Sequence, residues 1–159
     1  AHSGATLLLE ALELIRSNDV TLIKQNDELA TYAAKLTKQE AQIDFTKTST
    51  VIHNHVRGFS PNPGATASLI FEGKEPLAVR IEAGFPLERT DFQHTEEQNN
   101  AAHGEIVGIY KNYIVVKCEN SFYGIKQIRL AGKPSMDAKS FQNGYLHTNS
   151  HAHFALLPF

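Results

Sequence analysis

The first third of the chain repeats apolar residues with helical spacing in one clear place. Leu8, Leu12 and Ile15 fall at i, i+4 and i+7, with Leu9 and Ala11 beside them and Glu10, Glu13 and Arg16 as the polar positions. That pattern predicts a helix over 5–16, with Ser3 able to cap it by accepting from a free first-turn amide. Apolar positions nearly encircle this segment, so it expects cover on more than one side. Residues 17–45 are mixed and polar without strand alternation, and read as an extended linker with one helical turn around 38–42. A second helix is predicted over 50–58. Ser49 or Thr50 can cap it, Val51, Ile52, His55 and Val56 make one face, and Gly58 ends it. Pro61-Asn62-Pro63-Gly64 then fixes a rigid turn, because proline locks φ and glycine permits a reversal.

Strand patterns follow. Residues 66–71 and 77–82 flank Glu72-Gly73-Lys74-Glu75-Pro76 as a hairpin. The polar, acidic stretch 87–102 reads as a mobile loop. Residues 104–110 and 113–118 are apolar and β-branched, joined by Lys111-Asn112, where Asn tolerates the positive φ of a two-residue turn. In the strand predicted over 122–130 the spacing Ile125, Ile128, Leu130 breaks strict alternation, which points to a bulge. A short helix is predicted over 136–142, capped by Ser135 and followed by Gly144, and the tail 145–159 is expected to be extended. Five or six short strands with flanking helices predict a mainly β fold, a small barrel or sandwich rather than a parallel α/β sheet.

Composition changes this picture little. The 159 residues are 42% hydrophobic and 20% charged, the balance of a soluble globular domain with a short appendage. No apolar run approaches the roughly 20 residues of a membrane span, and no secretory signal pattern opens the chain. Cys118 is the single cysteine, which excludes an internal disulfide, points to a reducing compartment and reads as a small core residue on its strand. The formal net charge of −2 hides an asymmetry. Residues 72–97 hold seven carboxylates against Lys74, Arg80 and Arg89, whereas 104–147 carries Lys111, Lys117, Lys126, Arg129, Lys133 and Lys139 against Glu105, Glu119 and Asp137. A locally basic surface on a near-neutral chain is compatible with RNA binding; the plainer alternative is a solvated face.

Three ordered segments carry a family resemblance. Thr31-Tyr32-Ala33, Lys35-Leu36, Lys38 and Ile43-Asp44-Phe45 resemble the linker of the methionyl-tRNA formyltransferase family. Ile52 with Arg57-Gly58-Phe59-Ser60-Pro61-Asn62-Pro63-Gly64-Ala65 is similar to the segment that follows it. Gly104-Glu105-Ile106, Ile125, Leu130, Gly132-Lys133 and 136–144 resemble the barrel and its closing helix. Phe45 stands where tryptophan is usual, keeping a large ring but losing an N–H donor, and Asn62 stands where an aromatic is common.

The resemblance implies a division into 1–17, the last helix of a Rossmann-like catalytic domain missing from the chain; 18–45, a linker; and 46–159, a small OB-like C-terminal barrel. It implies an enzyme that formylates methionyl initiator tRNA from 10-formyltetrahydrofolate, bound outside this chain, with no metal. The implied partners are that tRNA and the enzyme's own N-terminal catalytic domain; no membrane is involved and the protein is a monomer. No residue here matches the catalytic Asn, His and Asp motif, so no catalytic residue is assigned and the chain alone is expected to be inactive. The alternatives are the barrel of a 10-formyltetrahydrofolate hydrolase, towards which Ile52-His53-Asn54 and Arg57-Gly58 lean, the barrel of a sugar-amine formyltransferase, or a non-catalytic RNA-binding module. The short match over 141–147 suggests the mitochondrial matrix, with the bacterial cytoplasm as alternative.

The candidate RNA contacts are Lys35 and Lys38, three apart and sharing one side if helical, and Lys111, Lys117, Lys126, Arg129 and Lys133 along one side of the barrel. Their plain reading is solvated charge, with Glu40 as a neighbour of the linker lysines. If Tyr113, Val115 and Lys117 point outward, Tyr113 or Tyr123 is a candidate to stack on a base, although strand aromatics are more often core. Arg57 fits better as a cation offsetting a helix C-terminus. His147, His151 and His153 cluster loosely without the further ligands a metal needs.

Overall fold

The computed structural model describes residues 2–88, 90–91, 94–119, 121–146 and 151–156. The chain divides into two compact units between Ala34 and Lys35. In the first, α1 (His2–Arg16) begins three residues before the predicted start and ends on Arg16, a cation suited to its C-terminal carbonyls. Its apolar face is bare: Leu8 is 60%, Leu12 51% and Ile15 62% exposed. Past it the chain has one further turn, Asp27–Leu29, where the Asn26 side chain accepts from the Glu28 amide.

The second unit is an antiparallel sheet built from β1 (Ala65–Phe71), β2 (Leu77–Leu87), β3 (Ile106–Tyr110), β4 (Tyr113–Lys117), β5 (Phe122–Leu130), β6 (Ser135–Asp137) and β7 (Ala152–Ala155). Their order is β3-β4-β5-β2-β1-β7, with β6 added to β5. The sheet curls until its ends meet, where the Phe154 amide donates to the Gly104 carbonyl at 2.7 Å and Glu105 bridges His153. Gly104 has φ +87, and a Cβ there would overlap the Phe154 carbonyl oxygen. Only glycine fits where the curled sheet closes.

Inside lie Ile43, Ile52, Val56, Leu69, Phe71, Ile81, Ile114, Ile125, Ile128, Phe141 and Phe154, all buried. The linker is partly built into this core. The Ile43 amide donates to Thr66 and the Thr66 amide to Ala41, each at 2.8 Å. Phe45 stacks on Phe154 with ring centroids 5.4 Å apart, so a buried phenyl ring fills the position where the resemblance expects tryptophan.

Several elements differ from expectation for identifiable reasons. α2 (Ser49–Phe59) is capped by Thr48, whose hydroxyl accepts from the Val51 amide, and it runs through Gly58. The Ser60 amide still reaches Val56, and Pro61 then has no amide to continue the ladder. Ile52 and Val56 form the buried face, while Val51 is exposed and His55 half-buried. β2 extends five residues past Glu82. Its pairing with β5 carries compensating irregularities: Ile81 opposes Ile128, Ala83 opposes Gln127 and Gly84 opposes Ile125. Glu82 and Lys126 are the residues left without a partner, which supplies the bulge read from the Ile125–Ile128 spacing. The stretch read as a loop over 87–102 contains a short turn, α3 (Glu96–Asn99), held by a capping box between Thr95 and Gln98; Arg89, Phe92 and Gln93 lie outside the described residues. The helix predicted over 136–142 is instead β6 followed by α4 (Ala138–Phe141), capped by Asp137 rather than Ser135, and a π turn, Gln142–Leu146, that passes through Gly144. Of the tail, 152–155 is strand and 147–150 and 157–159 lie outside the described residues.

Candidate nucleic-acid interface

The seven cations singled out from sequence occupy three settings. Lys35 and Lys38 are both exposed. They do not share a helical turn, because 31–37 has no regular structure and a turn begins only at Lys38. The Thr37 amide and hydroxyl both donate to the Glu40 carboxylate at 2.8 Å. Those bonds hold the Glu40 carboxyl below its ordinary range, the backbone donor first and the hydroxyl second. Glu40 thus serves the turn that carries Lys38, and no ion pair joins it to either lysine among the described residues.

A second group surrounds one corner of the sheet. Lys111 and Asn112 form the two-residue turn between β3 and β4 with φ of 44° and 66°, and the Lys111 ammonium lies over the Tyr110 ring at 5.1 Å. The Asn112 side chain donates to Asp137 at 3.3 Å and accepts from the Lys139 amide at 3.0 Å. The hairpin tip is therefore tied to the start of α4, bringing Lys111 near Lys139. Lys126, exposed at the β5 irregularity, adjoins Gln127, which pairs with Asp137. The Asp137 carboxyl is held below its ordinary value by the Ser140 amide, then by the Ser140 hydroxyl and Asn112. Arg129 and Lys133 lie further along: Arg129 is exposed with its Nε 2.7 Å from Glu82, and Lys133 is exposed in the turn after β5.

Lys117 stands apart. It is 4% exposed, its ammonium donates to the Cys118 carbonyl at 2.7 Å, and it lies 5.4 Å from the Phe122 ring centroid. The outward face of β4 is covered by a second small core of Leu87, Val115 and Phe122, backed by Phe85, Val107 and Tyr110. Tyr113 and Phe85 pack edge to face with ring centroids 4.6 Å apart. Tyr123 is buried, with its hydroxyl pKa raised by burial. Tyr123 is closed off from solvent, Tyr113 is half-buried beside Phe85, and Lys117 is withdrawn from solvent. Burial also pushes the Cys118 thiol up to about 12, with neighbouring Lys117 opposing the shift.

Arg57 occupies the last turn of α2, as its helix-end reading required. His151 and His153 are exposed, and His147 lies outside the described residues. Among the described residues no group of three or more His, Cys, Asp or Glu is gathered to hold a metal. No helix among them is long and apolar enough to cross a membrane. Arg80, from sequence a minority cation in an acidic stretch, lies half-buried on β2. Its position two residues before Glu82, on the outward side of an alternating strand, was the available signal.

Comparison with known proteins gives these residues a context. The family model for the formyl transferase C-terminal domain matches residues 35–146. Curated relatives named methionyl-tRNA formyltransferase include one from Nitratidesulfovibrio vulgaris, 37% identical over 148 residues, covering 92% of this chain and 42% of the relative. Another from Chlamydia trachomatis is 32% identical over 149 residues, covering 91% and 43%. One from Natranaerobius thermophilus is 35% identical over 144 residues, covering 89% and 42%. The chain thus spans about two fifths of the length of these relatives. A crystal structure of a HypX variant from Aquifex aeolicus superposes with a TM-score of 0.65 over 96% of this chain and 24% of that one; at 17% identity the likeness is one of fold.

Proposed function

The chain belongs to the formyl transferase family through its C-terminal domain, and on that premise we propose that it is the tRNA-holding part of an enzyme that formylates methionyl initiator tRNA. The observation that carries this reading is identity of 31–37% with methionyl-tRNA formyltransferases along nine tenths of the chain. Exposed Lys35, Lys38, Lys111, Lys126, Arg129 and Lys133 supply charge for phosphates, while buried Lys117 serves the fold. Contacts of this kind position a nucleic acid without reading its sequence, and they weaken as salt rises.

In this reading 10-formyltetrahydrofolate binds, and the formyl group is transferred, in a preceding catalytic domain. The bare apolar face of α1 is the surface that domain would cover, since water-exposed leucines in such a row are costly unless packed. The division into a terminal helix, a linker and a barrel is part of the same proposal, as are inactivity of this chain alone and a monomeric enzyme. The bacterial origin of the relatives supports a bacterial-type cytoplasmic setting over the mitochondrial matrix.

The second reading, a formyl transfer enzyme acting on another substrate, follows from the family model, which names the domain and no substrate. Assay of the full-length protein separates the two. Formylation of methionyl initiator tRNA is expected. Turnover of free 10-formyltetrahydrofolate or of an amino sugar, with none on the tRNA, overturns the proposal.

A further inference from the structure

On the outward face of the sheet, Thr66, Arg80 and Arg129 stand in one cross-strand row, Thr66 opposite Arg80 and Arg80 opposite Arg129. Two cations directly opposed on antiparallel neighbours repel each other. One carboxylate answers them: Glu82 lies 2.7 Å from the Arg129 Nε. Among the described residues Arg80 has no carboxylate partner. Beside the row runs an open groove of about 290 Å³, floored by Ala78, Ala131 and Gly132 and bounded by Arg80 and Arg129. The short floor residues leave space beside the two arginines that longer side chains would fill.

Each arginine has one near neighbour. The stem of Arg80 lies against Gly64, where a Cβ would overlap its Cδ. Gly64 has φ +89, a backbone conformation that favours glycine. Arg129 meets Glu82 through its Nε, and its terminal nitrogens lie outside that ion pair. A guanidinium fork matches the paired oxygens of a phosphodiester.

Resting on the reading that this chain binds RNA, we infer that the groove is a subsite for one phosphodiester of the RNA backbone. Arg80 supplies the fork and Arg129 the second cation. The anion relieves the repulsion between them, a role the single Glu82 carboxylate fills only for Arg129.

The test uses the whole chain with a short labelled RNA stem-loop, followed by anisotropy over a range of KCl concentrations. Arg80→Gln should weaken binding about tenfold, the cost of losing a charge-assisted fork, and reduce the magnitude of the salt slope by about 0.7–0.9, one phosphate's worth. Arg80→Lys should keep the slope but not the affinity, because a point charge replaces the fork. In the unaltered chain, RNA should move the Arg80 and Arg129 Nε–H NMR signals, a readout independent of how the variants fold. Unchanged affinity in Arg80→Gln with unmoved signals overturns the groove; if Lys35→Glu/Lys38→Glu still weakens RNA binding, the RNA reading stands without it. Absence of salt-dependent RNA binding by the unaltered chain overturns both. Signals moved by poly-glutamate and not by RNA mark the groove as a site for acidic peptide and also overturn the proposal.

Discussion

Replacing Gly104 with alanine tests whether closure of the curled sheet depends on a single backbone position. Gly104 stands at φ +87, where a Cβ would run into the Phe154 carbonyl oxygen, and its own carbonyl accepts the Phe154 amide at 2.7 Å. The left-handed backbone alone costs alanine about 1–2 kcal/mol. Relieving the overlap means moving β7 outward, which lengthens the closing hydrogen bond, worth about 1 kcal/mol, and loosens the stacked Phe45–Phe154 pair, worth about another 0.5–1.5 kcal/mol. The sum is about 2.5–4.5 kcal/mol. Gly132 provides the control, because it has φ +73 but open space around its Cα, so Gly132→Ala should cost only the backbone contribution. Urea unfolding of both variants reads the difference. With a slope of about 1.5–2 kcal/mol per M, typical of small domains, Gly104→Ala should move the midpoint down by about 1–3 M and Gly132→Ala by about 0.5–1.3 M. Equal shifts would refute closure at Gly104, since only the overlap with Phe154 distinguishes the two sites.

Further predictions concern the buried and tied groups. The Cys118 thiol, raised to about 12 by burial, should resist iodoacetamide at mildly alkaline pH in the folded chain and react promptly once urea exposes it; mass spectrometry reads the adduct, and equal rates in both states would contradict its buried placement. Asp137 should titrate below the ordinary carboxylate range by carbon-detected NMR, because the Ser140 amide and hydroxyl and Asn112 favour its charged form. A carboxyl depressed in the folded state stabilises above its unfolded pKa, and that contribution is lost as pH falls through the folded value; Asp137→Asn should therefore remove part of the acid sensitivity, and an Asp137 titration at the ordinary value would remove its cause. Ser49 and Ser121 share a buried hydroxyl contact of 2.7 Å, so Ser49→Ala should lower stability by about 1–3 kcal/mol, whereas no change by urea unfolding would mean that this hydrogen bond is not made.

The β3–β4 hairpin was legible in the sequence because its turn needs positive φ twice and Lys111-Asn112 stands between two β-branched runs. β5 was legible to its ends, and its broken alternation located the irregularity. The second half of β2 was not, because Gly84 and Pro86 interrupt the β-branched pattern that marks a strand. Glycine is there for space: a Cβ at Gly84 would come within 2.6 Å of the Tyr123 ring, an approach between residues far apart in the chain. Local pattern also placed Lys117 on an outward face, which it is; that the face is covered by Val115, Phe122 and Leu87 is a fact of tertiary packing. The caps at Thr48 and Asp137 each lie one or two residues from the expected ones, since several hydroxyl and carboxyl side chains compete at both helix starts. The setting of Arg80 was not legible because its neighbours, Gly64 and Arg129, come from a turn and a strand distant in sequence. The linker lysines were legible as charge, and their shared helical face was not there to be found.

The most direct test of tRNA binding is the affinity of this chain for methionyl initiator tRNA across a range of salt, with and without Lys35→Glu/Lys38→Glu. The unaltered chain should bind in a salt-sensitive way. The double variant should bind more weakly, with a salt slope reduced by about 0.7–0.9 for each phosphate that is no longer neutralised. Binding that is absent, or that ignores both salt and charge reversal, would contradict a tRNA-holding role.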